Sequence, residues 1–248
     1  SIRVGYDEDA LPFAFSNSLK ELVGYDIYFA HQLARNLGVR LELIPLNRSQ
    51  VRDYLNRGLC DMVMSAYPIR IDDLGKMNFT RPYMQMRSAL VVKDFRKKDF
   101  QSQSDIKSMD NLKVAVSPEN STEEIRLLRS YLPNASLVEL PDIKSFFEGD
   151  DRADALLTTD KIGKAWALLY PEYGVVLPKP LMFVYDLSYP IPITQGDRIF
   201  LDYLNNWLNL QQTSWELSRQ FDYWILGKTP ERKAPRWSII KDVLRWVN

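Results

Sequence analysis

The sequence predicts an α/β fold built from two similar units in tandem. Strand-like and helix-like segments alternate from the first residues, and the same order restarts after a polar connection at 95–111. In addition, 46% of the 248 residues are hydrophobic, which is enough for one large domain or two lobes of ordinary size. The units share an order of elements but no sequence repeat, so a duplication is not implied.

Taken in order, "IRVGY" (2–6) reads as a strand. Gly24 to Gly38 reads as a helix: Ile27, Ala30, Ala34 and Leu37 fall on one face and Gly38 supplies the stop. "RLELIPL" is the second strand, Ser49 to Arg57 a short helix capped by Ser49, and "CDMVMS" the third strand. The second unit opens on "LKVAVS". Ser121 and Thr122 then precede "EEIRLLRSYL", where Glu123 and Glu124 suit the positive end of a helix dipole. "SLVEL", the helix "DIKSFFEG", the strand "DALLTT" and a helix from Asp160 to Leu169 complete it. Extended "MFVYDLSYPIPIT" leads to a helical region from Asp197 to about Ile225, in which Leu201, Leu204, Leu208 and Trp215 read as core. In the tail, Trp237, Ile240, Val243, Leu244 and Val247 form an apolar side that suits packing or an amphipathic contact with a membrane-anchored neighbour.

Thirty-two Lys and Arg cancel thirty-two Asp and Glu, and no basic run stands out, which argues against nucleic-acid binding. No stretch approaches the roughly 20 apolar residues needed to cross a bilayer. The sequence opens directly on a strand, so an export signal or membrane segment is expected outside it. Cys60 is the lone cysteine, which leaves no internal disulfide or cysteine zinc site, and its apolar setting reads as buried and inert. His31 is the single histidine and sits on a helix, where a structural role outweighs a catalytic triad. The stretch "MSAYPIRIDDLGKMNFT" (64–80) reads as a loop leaving a buried strand. Its charges oppose one another, with Arg70 close to Asp72 and Asp73, so residue type alone leaves its ligand open.

Six segments carry a resemblance to a known family: "VGYDEDALPFAF", "ELVGYDIYFAHQLARNLGV", "LNRGLCDMVMSAYPI", "MNFTRPYMQMRSALVV", "LKVAVSPENSTEEI" and "ADALLTTD". In order and spacing they resemble bacterial periplasmic solute-binding proteins of the polar amino-acid type, which serve ABC importers. The tail further resembles solute-binding domains fused to cation:dicarboxylate symporter-type transporters. The resemblance implies a two-lobed, periplasmic-binding-protein-like type 2 fold with two crossover strands. Lobe 1 is expected at 1–88 plus 191–248 and lobe 2 at 89–190, with the ligand taken between them at the carboxyl ends of the strands.

Carried onto this sequence, the resemblance implies an acid near the ligand at Asp7, against a plain turn aspartate. Ala10 stands where a stacking aromatic is usual, and Phe13 falls in the apolar wall or core behind it. Arg48, after the second strand, is either a bidentate carboxylate ligand or a solvated loop residue. Ser65, Ala66 and Tyr67 match the stretch that clamps an α-carboxylate. There, Pro68 removes a hydroxyl and an N–H, and Asp73 occupies the position of the carboxylate-binding arginine. Arg70 is the nearby substitute. Asn120, Ser121 and Thr122 offer amides at a helix start, for an anion or for capping alone. Asp160 matches the acid that holds a ligand ammonium, or else caps its helix.

The expected function is an extracytoplasmic receptor domain that captures a small polar metabolite, amino-acid-like or carboxylate, for a membrane transporter or sensor. It is expected to act as a monomer with no catalytic residue, cofactor, metal or nucleic-acid partner. Two alternatives stand beside it: an enzyme on the same scaffold, like the periplasmic cyclohexadienyl dehydratases, and a sensory or interaction domain whose cleft has lost its ligand.

Overall fold

A computed structural model describes residues 1–8, 10–149, 152–193 and 197–228. The described residues form two compact units, one holding those of 1–85 and 185–228, the other those of 86–184. The switches fall three and six residues ahead of the expected boundaries. The first lies inside one long strand, Met84–Lys93, which continues across it without a break.

The first unit opens with β1 (Ile2–Tyr6), the short pair β2 (Phe15–Ser16) and β3 (Leu22–Val23), and α1 (Tyr25–Leu37). Gly38 ends α1 in the left-handed conformation, φ 67°, where its amide closes the last turn. The helix buries Ile27, Ala30 and Ala34 together with Phe29 and Leu33, while Leu37 stays half-buried. Next come β4 (Leu41–Pro45), a 3-10 turn at Arg48–Gln50, α2 (Val51–Asn56) and β5 (Met62–Val63). The cap of this helical stretch is Asn47 rather than Ser49. Its side chain accepts from the Gln50 amide while the Gln50 side chain answers the Asn47 amide, a reciprocal box that starts the turn two residues early. Strands β4-β1-β5 form a parallel sheet with all carboxyl ends on one edge. β6 (Tyr67–Pro68) and β7 (Asn78–Phe79) follow.

Strand β8 (Met84–Lys93) carries the chain into the second unit. There α3 (Gln103–Lys107), β9 (Lys113–Val116), α4 (Thr122–Tyr131), β10 (Ser136–Glu139), α5 (Ile143–Phe147), β11 (Ala155–Thr159), α6 (Asp160–Leu169) and β12 (Tyr173–Val176) follow in turn. β10, β9 and β11 are parallel, but β8 runs antiparallel to both β11 and β12. The sheet is therefore mixed: β8 arrives as a connection and is not part of a strand-helix-strand crossover. One face buries Leu90, Val114, Leu128 and Leu157. Gly163 of α6 approaches the other so closely that a Cβ there would sit 3.1 Å from Thr158 and Val91.

The chain returns through β13 (Val184–Ser188) and β14 (Pro190–Ile191), which pair antiparallel with β6 and β7. The single helical region expected beyond Asp197 is two helices, α7 (Asp197–Thr213) and α8 (Glu216–Trp224). They break at Trp215, which is left-handed at φ 62° and 72% exposed, so it is a corner residue rather than core. Leu204 and Leu208 are buried. The apolar tail, with Trp237 to Val247, lies outside the described residues. No helix among the described residues is long and apolar enough to cross a membrane.

Candidate functional site

The first unit builds its strand-end surface from the turn after β1 and the loop after β5. Ser65 is buried and ties the two together: its Oγ accepts from the Asp7 amide at 3.0 Å and donates to the Asp7 carbonyl at 3.4 Å. The backbone at Asp7 is thus held by a side chain of the clamp-like loop. Asp7 and Glu8 line an open hollow of about 270 Å³ with Pro45, Leu46, Asn47 and Gln50, at the carboxyl ends of β1 and β4. Ala10 bridges to Ala14 and is half-buried. Phe13 is completely buried, edge-on to Tyr25 at 6.1 Å, which makes it core and removes it from the surfaces a ligand can touch.

Sequence reasoning missed the acid that organises this loop. Asp26, fully buried in the first turn of α1, accepts from the Ala66 amide at 2.7 Å and from the hydroxyls of Tyr83 and Tyr189, each at 2.9 Å. Burial pushes its carboxyl up to about 7 against the opposing pull of these three hydrogen bonds. The bond also explains Ala66, which sits left-handed at φ 48° without being glycine. The Ala66 amide, expected to be offered to a ligand, is spent on Asp26. An acid between Tyr25 and a helix gave no clue to this, because its three donors come from positions 66, 83 and 189.

Asp73, in the place of the expected arginine, is buried and neutralised. Arg52 donates to it at 2.9 Å and the Tyr67 hydroxyl at 3.0 Å. Burial and the Asp73 charge push the Tyr67 phenol up to about 12, and its ring stacks on Phe79. Arg48 is half-buried and reaches the Ala66 carbonyl at 3.4 Å, a long contact that leaves most of its guanidinium capacity unspent. Arg70 is exposed on the same loop.

The second unit presents its own strand ends. The Asn120 amide donates to the Ser117 carbonyl at 3.0 Å. The Ser121 amide donates to Glu124, whose own amide returns a bond to Ser121 Oγ. Of the three amides expected to face an anion, that of Asn120 is spent on the preceding turn and that of Ser121 on the capping box, which leaves that of Thr122 in the first turn of the helix. Two buried hydroxyls, Ser117 Oγ after β9 and Thr159 Oγ1 ending β11, lack any hydrogen-bond partner among the described residues.

Asp160, at the start of α6, is fully buried. Its Oδ1 accepts from the Arg87 amide at 3.1 Å. Its Oδ2 accepts from Arg87 Nε at 3.0 Å, Arg87 Nη2 at 2.9 Å and Lys161 Nζ at 2.8 Å. The acid expected to hold a ligand ammonium is thus occupied by two of the protein's own cations. Arg87 lies inside the apolar run of β8 and Lys161 on an ordinary helix, so neither was marked as a site residue. His31 is exposed, and Cys60 is fully buried with its thiol pushed up to about 11 by burial.

Comparison with known proteins fits this arrangement of elements. The chain is 24% identical to cyclohexadienyl dehydratase of Pseudomonas aeruginosa over 232 residues, covering 92% of this chain and 84% of that protein. It is 30% identical to the L-cystine-binding protein TcyJ of Escherichia coli over 114 residues, 46% of this chain and 40% of that one. Among solved structures, an ancestral cationic amino acid solute binding protein superimposes with a TM-score of 0.80 at 28% identity, covering 90% of this chain and 95% of that one. The family model described as bacterial extracellular solute-binding proteins, family 3, matches residues 2–227. The chain belongs to that family.

Proposed function

We propose that the chain is a receptor domain working outside the cytoplasm, binding a small polar metabolite and passing it, unchanged, to a transporter or sensor. The observation that carries this reading is the family match across residues 2–227. The strand-end groups support it: Arg48 and Arg70 in the first unit, and Arg87, Lys161 and the Thr122 amide in the second, are suited to hold a carboxylate by charge-assisted hydrogen bonds. Asp7, Ser65 and Tyr67 act as positioning groups in this reading. Binding energy is spent on ordering the ligand-bound state rather than on chemistry. A thermal-shift screen across amino acids, di- and tricarboxylates, polyamines and sugars tests it, because a ligand selective for the folded protein raises Tm by mass action. At least one class is expected to raise Tm; no response from any class contradicts the reading.

A second reading, an enzyme on the same scaffold, is favoured by one observation: a relative aligned over 92% of this chain is a cyclohexadienyl dehydratase. Mass spectrometry of candidate ligands after incubation separates the two, since a receptor returns its ligand intact.

A further inference from the structure

The acid expected to receive a ligand ammonium in the second unit is already shared by two cations. Asp160 Oδ1 accepts from the Arg87 amide, and its Oδ2 accepts from Arg87 Nε, Arg87 Nη2 and Lys161 Nζ. Two cations meeting on one acid leave one positive charge in excess. That charge is desolvated at its Lys161 end, where the side chain is only 11% exposed, while the Arg87 side chain is 41% exposed. Desolvation lowers the Lys161 ammonium, as does the Arg87 charge beside it. A partly buried excess cation is costly unless an anion completes it.

We infer that the second unit takes an anionic group from its ligand through Arg87 and Lys161, with Asp160 orienting both, and that the ligand is a small carboxylate lacking an α-ammonium. This inference rests on the receptor reading and narrows it. An α-amino acid entering here would bring its ammonium as a third cation to the one carboxylate that Arg87 and Lys161 already share.

The test is calorimetric titration of the whole chain with pairs differing only at the α-nitrogen, 2-oxoglutarate against L-glutamate and phenylpyruvate against L-phenylalanine, alongside succinate, L-arginine and L-lysine. At least one 2-oxo acid or succinate is expected to bind, with any matched amino acid at least about tenfold weaker. Lys161→Met should weaken that ligand about tenfold while Lys161→Arg retains it, charge-assisted bonds being the strong ones. The ligand-free Tm of each variant checks folding. An amino acid binding as tightly as its oxo partner, or binding left unaffected by Lys161→Met, overturns the inference and leaves the receptor reading standing. Failure of every probe to bind the folded protein overturns both.

Discussion

Asp26 shows how a single buried group governs the first unit's strand ends, since it fixes the Ala66 amide and the hydroxyls of Tyr83 and Tyr189 at once. Its folded pKa near 7 lies above the ordinary value of 3.8, so between about pH 4 and 7 the folded chain carries a proton that the unfolded chain has lost. Its contribution to stability is therefore greatest at low pH and falls as pH rises through that window. Protonation need not break the cluster, because a tyrosine hydroxyl can turn from donor to acceptor. The Tm of wild type minus that of Asp26→Asn should shrink between pH 4.5 and 7.5. A gap that widens over that range would mean Asp26 is ionised in the fold well below 7. At this scale the sequence was least legible. Asp26 falls in the helix expected from Gly24 to Gly38, but its partners stand 40, 57 and 163 residues away. Asp73 and Asp160 likewise looked available until Arg52, Arg87 and Lys161 were seen on them.

At the scale of elements the sequence was far more legible, because helices and strands announce themselves through local periodicity and end signals. β1, β4, β10 and the helix beginning at Asp160 lie where the pattern put them. The capping box of α4 is likewise written in order, Ser121 followed by Glu124. Ser121→Ala should cost about 1 kcal/mol in chemical denaturation, typical of a lost N-cap. Gly24 makes a stronger demand: it sits at φ 135°, and a Cβ there would lie 2.3 Å from the Phe13 carbonyl oxygen. That carbonyl accepts from the Asp26 amide, so the chain cannot simply move away. Gly24→Ala should cost roughly 3 kcal/mol or more, strain and clash together, read as a lowered denaturation midpoint. What local pattern could not supply was the direction of β8 and the break at Trp215. Both are set by the route of the chain between distant elements rather than by neighbouring residues.

For the whole molecule, two α/β units with a discontinuous first unit and an embedded second one agree with the family match across nearly the whole chain. Family membership does not by itself decide between binding and turnover, because the aligned relatives include both an amino-acid-type binding protein and a dehydratase. Asp73 and Asp160, two of the acids one would ask to shuttle protons, are fixed in ion pairs, and in the proposed reading the strand-end cations serve binding of an anion. The most direct measurement is equilibrium dialysis against a carboxylate found by thermal shift, with mass spectrometry of the ligand recovered after prolonged incubation. The account predicts saturable binding of about one equivalent and recovery of the ligand unchanged; its conversion to a new product in many-fold excess over protein would contradict it.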